Sequence, residues 1–503
     1  MKETRTMAVF VLCAGLGCDE DASIAPIDSD SGADAAPDAS QPEVGADVPK
    51  DLPTRLGPVR IAHNVLVDDS TDWRGFGLGI SLFYAPSVPR AEYEDVIDEL
   101  AGVGIEIARF SGSTFTWGNE EGRPEVNPFL PGEHPFTPDD PEVGGFTNEP
   151  NPAFFDELES RLDYAAEHGI RVQYTLLWGG FQPMFIRAGD PPALHRASLR
   201  RFVDYAAERL ARHPEHTVEI INEADHPYHM AGFGRQGRID ALREIAGWIR
   251  EAYPDALLSV SDGGREPESE GAPYFDYHEI AELDYWNVHF PRDEVFAEGI
   301  PRWARGVWHL YSDRNAFADA HEGRTYGRND ENMFLQTEAD HERWPYRSST
   351  RDWRMYGNMM WVSLAAGVGF TLHTQKGFFC YPGLTSDPIF EVVRAMRAIT
   401  TDFPWQHARS FNASWVGSPV PSYDGPFKAF SLVAQDGTDV LIHVLNPAGT
   451  LTLELDHEGM HGVCYDSITG TVLSEFDPPA GVSTLRLPDP MYEHAMTIRI
   501  RRE

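Results

Sequence analysis

The sequence predicts an α/β protein: a (β/α)8 TIM barrel followed by a small C-terminal antiparallel β-sandwich. Three observations carry that expectation. Between about Val59 and Trp405, short β-rich runs alternate with amphipathic helical runs in eight units, the pattern of a parallel sheet covered by helices. No Gly-rich phosphate loop follows the first strand, which counts against an open, doubly wound sheet. Past Trp405 the helical spacing stops, and strand-like runs are divided by turns such as Gln435-Asp436-Gly437.

Taken in order, Phe76 to Phe83 reads as the first strand, with a helix near Ala91 to Val103. Ile105 to Phe110 is the second, followed by a long Gly/Pro-rich loop and a helix with Phe155, Leu158, Leu162 and Ala165 at helical spacing. Ile170 to Leu177 is the third strand, and its helix carries Leu199, Phe202, Val203, Ala206 and Leu210. Val218 to Ile221 is the fourth, with a helix through Ile239, Leu242, Ala246 and Ile249. Leu257 to Val260 and Tyr285 to His289 are the fifth and sixth, the latter with a helix around Trp303 to Leu310. Met333 to Thr337 and Val368 to His373 are the seventh and eighth, with helices over Thr350 to Ala366 and Pro388 to Ile399. In the sandwich, strands are expected at Phe430–Val433, Val440–Leu445, Thr452–Leu455, Gly462–Tyr465 and Met496–Ile500.

Composition narrows the partners. The chain has 503 residues, 42% of them hydrophobic, and a formal net charge of −38. The length allows more than one domain and the apolar share a large core. The charge excludes nucleic acid and disfavours anionic membranes, because phosphate backbones and acidic headgroups repel it. Four cysteines are too few for a disulfide framework, and two of them, Cys13 and Cys18, lie in the first 18 residues. Cys380 and Cys464 are left either as buried thiols or as a pair.

Lys2 and Arg5 precede an apolar run from Met7 to Leu16, too short to span a bilayer, and small residues lead from it to Cys18. This resembles a bacterial lipoprotein signal. The resemblance implies a leader over residues 1–18, lipidation at Cys18, and a place at the cell surface or outside the cell, on the outer membrane or its periplasmic side. The stretch 19–57 is Asp, Ala, Pro, Ser and Gly with hardly an aromatic. It has too little apolar surface to offset its ordering entropy and reads as an acidic disordered tether. The barrel is then assigned to 58–405 and the sandwich to 406–503.

In a TIM barrel the polar residues at the C-terminal strand ends form the site. Glu223 ends the fourth strand in Asn222-Glu223, and Glu338 ends the seventh in Gln336-Thr337-Glu338. Those strands face each other across the barrel mouth, so both carboxyls can enter one cleft. Such a pair supplies a neutral acid and an anionic carboxylate on opposite faces of a substrate. Asn-Glu on strand four and Glu on strand seven resemble the clan A glycoside hydrolases, the retaining barrel enzymes that include the cellulase-like family 5. The resemblance spans roughly Phe76 to Trp405. It implies Glu223 as acid/base and Glu338 as nucleophile, acting on a β-linked polysaccharide or oligosaccharide with retention of configuration. It also implies that Asn222 bonds a sugar 2-hydroxyl, that Arg109 holds Glu338 anionic, and that His289 lines the site. Two positions depart from the clan: His289-Phe290-Pro291 lacks its tyrosine, and Leu372-His373-Thr374-Gln375 stands where a strand-eight tryptophan is expected.

Trp117, Trp178 and Trp344, with Phe181 and Tyr346, fall in loops after strands two, three and seven, where aromatic faces stack on sugars. His373 is added as a substrate contact. Asp262 and Lys376 are expected to face the cleft with no assigned role. No metal or cofactor is expected; a metal-dependent hydrolase requires His226, His229, His289 and Asp262 to converge. The expected partner is a carbohydrate, with membrane attachment only through the N-terminal lipid, and the expected state is a monomer. The alternative is a catalytically silent, surface glycan-binding lipoprotein on the same barrel.

Overall fold

A computed structural model of the protein describes residues 56–62, 65–70, 78–111, 127–132, 146–177, 192–224, 234–262, 280–288, 325–334, 353–365, 369–378, 380–405, 408–411, 422–424, 429–434, 436–445, 447, 449–455, 459–487 and 495–502. All belong to the compact unit Asp47–Glu503. The leader, Cys18, most of the tether and the expected helix around Trp303 to Leu310 lie outside the described residues. Among the described residues no helix is long and apolar enough to cross a membrane.

Nine strands form one parallel sheet: β1 (Leu78–Ser81), β2 (Ile107–Ser111), β3 (Arg171–Leu177), β4 (Thr217–Ile221), β5 (Leu258–Ser259), β6 (Ser261–Asp262), β7 (Tyr285–Val288), β8 (Thr325–Phe334) and β9 (Phe370–Thr374). Their order is β6-β7-β8-β9-β1-β2-β3-β4-β5, and each neighbouring pair for which a register is defined is parallel. The two ends of that order, β5 and β6, are consecutive in the chain with only Val260 between them. The expected first to sixth and eighth strands sit within a few residues of those found. The seventh differs: β8 begins at Thr325, eight residues before the expected Met333. The stretch Thr325-Tyr326-Gly327-Arg328-Asn329-Asp330-Glu331-Asn332 is too polar to show as a strand by its pattern.

The helices form where apolar residues recur at helical spacing and end where the chain permits. Helix α1 (Arg90–Val103) buries Tyr93, Val96, Ile97, Leu100 and Val103 and stops at Gly104, whose φ of 83° is a left-handed cap that glycine adopts without strain. Helix α2 (Pro152–Glu167) starts with Pro152, and the Asn151 side chain accepts from the Ala153 N–H. Helices α3 (Pro192–Leu210) and α4 (Arg235–Ala252) follow β3 and β4. Helices α5 (Trp353–Ala365) and α6 (Gln375–Phe378) flank β9, and α7 (Ile389–Thr400) buries a full apolar stripe from Ile389 to Ile399.

The C-terminal strands are β10 (Ala408–Phe411), β11 (Ser422–Asp424), β12 (Ala429–Ala434), β13 (Asp439–Val444), β14 (Gly449–Leu455), β15 (Met460–Asp466), β16 (Val472–Phe476), β17 (Gly481–Leu487) and β18 (Met496–Arg502). They make a six-stranded sheet, β10-β12-β13-β18-β15-β16, and a three-stranded one, β11-β14-β17. All their pairings are antiparallel. Phe430, Leu432, Leu441 and Ile468 join the core that fills the parallel-sheet region. Polar contacts fix the same junction: Trp361 Nε1 donates to Ser467 O at 2.6 Å, and Arg499 donates to Ile399 O at 2.7 Å while pairing with Asp439. Cys380 and Cys464 are both buried and unpaired.

Candidate functional site

The site is built from the inside of the sheet upward. Side chains alternate along a strand, and one face of β2, β3 and β4 is polar. Arg109 on β2 makes two parallel hydrogen bonds to Glu219 on β4, Nε to Oε2 at 2.8 Å and a terminal nitrogen to Oε1 at 2.9 Å. Thr175 and Gln173 on β3, between them in the sheet, donate to the same Oε2 at 2.6 and 3.2 Å. Tyr285 on β7 reaches Gln173 and Thr217 through its hydroxyl. Both members of the ion pair are fully buried, so the bidentate geometry and the added donors are what make the burial tolerable. Burial works to raise the Glu219 carboxyl. The Arg109 charge, its hydrogen bonds, and those from Ser261 and Thr175 outweigh it and hold the group below its ordinary value. The Arg109 guanidinium also lies over the Phe83 ring, 5.0 Å from its centroid.

This network carries the strand end above it. Arg109 donates to Asn222 Oδ1 at 2.6 Å, which settles the orientation of that amide: oxygen toward the guanidinium, nitrogen away from it. Asn222 N–H donates to Leu177 O at 3.1 Å. The Glu223 N–H donates to Ser261 Oγ at 2.8 Å, and the Ala224 N–H to Ser261 O at 3.0 Å. Glu223 adopts φ 44°, one of two positive-φ residues other than glycine among the described residues. A side chain in this region carries strain, so the surrounding bonds must hold it there. The result is a half-buried glutamate whose backbone is pinned at the C-terminal end of an interior parallel strand.

Of the residues singled out from the sequence, the structure brings Arg109, Asn222 and Glu223 together. It gives Arg109 the partner Glu219, which sequence reasoning passed over because strand pairing, not spacing, creates the contact. His373 lies in β9, one residue before its end, with its backbone in the sheet; its side chain lies outside the described residues, as does that of Asp262. Glu338, His289, Trp117, Trp178, Trp344, Phe181, Tyr346, His226 and His229 also lie outside them. Lys376, left without a role, forms an ion pair with the buried Asp387 at 2.6 Å.

No family model matches the chain, and no curated protein does. Solved structures do. A glycoside hydrolase family 5 protein from Bacteroides vulgatus aligns with a TM-score of 0.58 at 14% identity, over 90% of this chain and 95% of its own. Another solved structure, a glycoside hydrolase, aligns with a TM-score of 0.57 at 13% identity, over 89% of this chain and 97% of its own. At such identities the likeness shows a shared fold, and it runs through both the parallel and the antiparallel regions.

Proposed function

We propose that the chain is a retaining glycoside hydrolase that cleaves O-glycosidic bonds of a β-linked polysaccharide or oligosaccharide by double displacement. The observation that carries this reading is the strained, backbone-anchored Glu223 at the end of β4, beside an Asn222 amide oriented by the buried Arg109–Glu219 pair. It stands on a fold shared with glycoside hydrolases. The reading requires a closed barrel. Closure is supported by the sheet order, whose two ends are the two short strands on either side of Val260. In such a barrel β4 and β8 face each other, and Glu338 follows the last residue of β8, Phe334, by four positions.

Each group then has a part. Glu223, protonated, gives its proton to the leaving oxygen while Glu338 attacks the anomeric carbon, forming a glycosyl-enzyme ester. Glu223, now a carboxylate, takes a proton from water, and that water displaces Glu338. The Asn222 nitrogen, turned away from Arg109, donates to a sugar hydroxyl. Arg109, its charge balanced by Glu219, acts by holding the Asn222 amide oxygen. Trp117, Trp178 and Trp344 are assigned to sugar stacking. Cys18 is assigned as the lipid anchor.

Purified protein screened on a panel of β-linked polysaccharides, beside Glu338→Gln, tests the reading. Wild type should release sugars whose first-formed anomer, followed by NMR, keeps the substrate's configuration, and the variant should be inactive. An inverted anomer contradicts double displacement. Binding without turnover in both proteins supports a silent glycan-binding lipoprotein instead.

A further inference from the structure

The opposite end of the parallel sheet, at the N-terminal ends of β3 and β4, holds a second cluster of chemistry-bearing side chains. His213 and Glu215 sit in the turn between α3 and β4, and Asp163 lies on α2. His213 Nδ1 is 3.5 Å from Asp163 Oδ1 and 3.7 Å from Glu215 Oε1, and the three ligand atoms lie within 4.8 Å of one another. The His213 side chain is only 6% exposed, and among the described residues its buried Nδ1 has no partner in hydrogen-bond geometry, only the two carboxylates at 3.5 and 3.7 Å. Buried polar atoms rarely go unmatched, so this nitrogen requires an explanation.

The neighbouring histidine shows the contrast. His216 accepts from the Val172 N–H at Nδ1 and reaches Leu162 O through Nε2. Both of its ring nitrogens are used, and the ring is a neutral structural group. His213 instead turns Nδ1 between two carboxylates. Its position is set by its own backbone, which donates to Leu210 O and accepts from the His216 N–H. Arg171 donates to the Glu215 carbonyl and pairs with Asp68, which fixes the turn from below.

We propose that Asp163, His213 and Glu215 form a binding site for one first-row transition divalent cation, of the Zn2+ class, that clips α2 to the turn preceding β4. For a tetrahedral ion with ligands at about 2.0–2.1 Å, neighbouring donor atoms stand roughly 3.3–3.4 Å apart. The two measured edges are a few tenths of an ångström wider than that, an arrangement a bound ion closes with small side-chain movements. The imidazole nitrogen selects against Ca2+ and Mg2+, which take oxygen ligands. Asp163 is 43% exposed and gives the ion a way in from solvent, with water completing the shell. Glu159, whose carboxylate lies 3.6 Å from His213 Nε2, is positioned as an outer-shell acceptor for the ring's other N–H. The site faces away from Glu223, so its role is structural.

The test uses the full chain, stripped with EDTA, dialysed and titrated with ZnCl2, with elemental analysis of the bound metal. Wild type should retain one Zn2+ more tightly than any surface site and melt roughly 2–5 °C higher with it. Asp163→Asn, a change of charge at a partly exposed helix position, should weaken that site at least about tenfold. His213→Gln should abolish it. Co2+ in place of Zn2+ should give the visible absorption of a tetrahedral site in wild type alone. Equal zinc content, affinity and melting shift in wild type and Asp163→Asn overturn the proposal. So does the absence of tight binding. If His213→Gln does not fold, the comparison with Asp163→Asn still decides.

Discussion

Glu223 holds its side chain on a backbone with φ 44°, where an L-residue pays roughly 1–2 kcal/mol that glycine avoids. Glu223→Gly should therefore be more stable than Glu223→Ala by about 1 kcal/mol in urea denaturation. In ordinary backbone the order is the reverse, so alanine ahead of glycine would show that no strain is held there. Beneath it, the Arg109–Glu219 pair is fully buried. Glu219→Leu leaves a guanidinium without its counter-charge and should cost about 3–5 kcal/mol. The double variant Arg109→Leu/Glu219→Leu should recover much of that stability in the same melts while losing turnover, because Arg109 no longer holds the Asn222 amide oxygen. Recovery of turnover along with stability would reduce the pair to a packing element. Glu223 and Asn222 were legible in the sequence as an Asn-Glu pair at a strand end. Glu219 was not, although it stands four residues earlier, because its value comes from a partner 110 positions away brought close by sheet register.

At the scale of elements, the end of β4 is held by the start of β6. Ser261 Oγ accepts from the Glu223 N–H, and Ser261 O from the Ala224 N–H. Ser261→Ala removes the first bond, and with it the hydroxyl's bond to the buried Glu219, and keeps the second. It should lower kcat by about 10–100-fold with a stability loss of about 1–3 kcal/mol, since the hydroxyl both anchors the proposed acid and helps satisfy a buried carboxylate. A kcat within twofold of wild type would show that Glu223 is held by other means. The seven strands of the parallel sheet found near their expected places announced themselves by apolar runs of strand length between helical stripes. Four strands of the C-terminal region did not. β16 is largely exposed, with Val472 at 48%, and carries no buried-face pattern; β17 does alternate, but it turns Ser483 inward and Val482, at 65%, outward, which blurs the pattern in its sequence. β10 and β11 are too short, at four and three residues, for any alternation to register.

For the molecule as a whole, the junction between the parallel and antiparallel regions sets a pH limit. His443 on β13 is buried, stacks on Trp361 with ring centroids 5.8 Å apart, and bonds Thr497 at 3.1 Å. Burial pushes its pKa down to about 3. The unfolded ring takes a proton near pH 6.5 and the folded one does not, so the unfolded state gains protons first. Stability is full above about pH 6.5 and falls as pH drops toward 3. Glu219, held below its ordinary value by Arg109 against the effect of burial, adds a further loss below about pH 4.3. Melting temperature should thus begin to fall near pH 6.5. His216, also buried with its pKa pushed down to about 3, contributes to the same limb, so His443→Gln should lessen its slope between about pH 6.5 and 4.5 without abolishing it; a level profile there in wild type, or an unchanged slope in the variant, contradicts the assignment. The alternation of strands and helices made the overall architecture readable, but this junction was not, because Trp361 and His443 meet only through packing. If Glu223 is the proton donor of a two-step glycosidase, as proposed, chemical rescue reveals it. Kinetics of wild type and Glu223→Ala should be compared on the preferred glycan and on an aryl glycoside with an activated leaving group, with and without sodium azide. The variant should lose about 100-fold or more on the glycan and much less in the first step on the aryl glycoside, and azide should restore turnover, yielding a glycosyl azide of retained configuration. Equal losses on both substrates with no azide product would contradict that role.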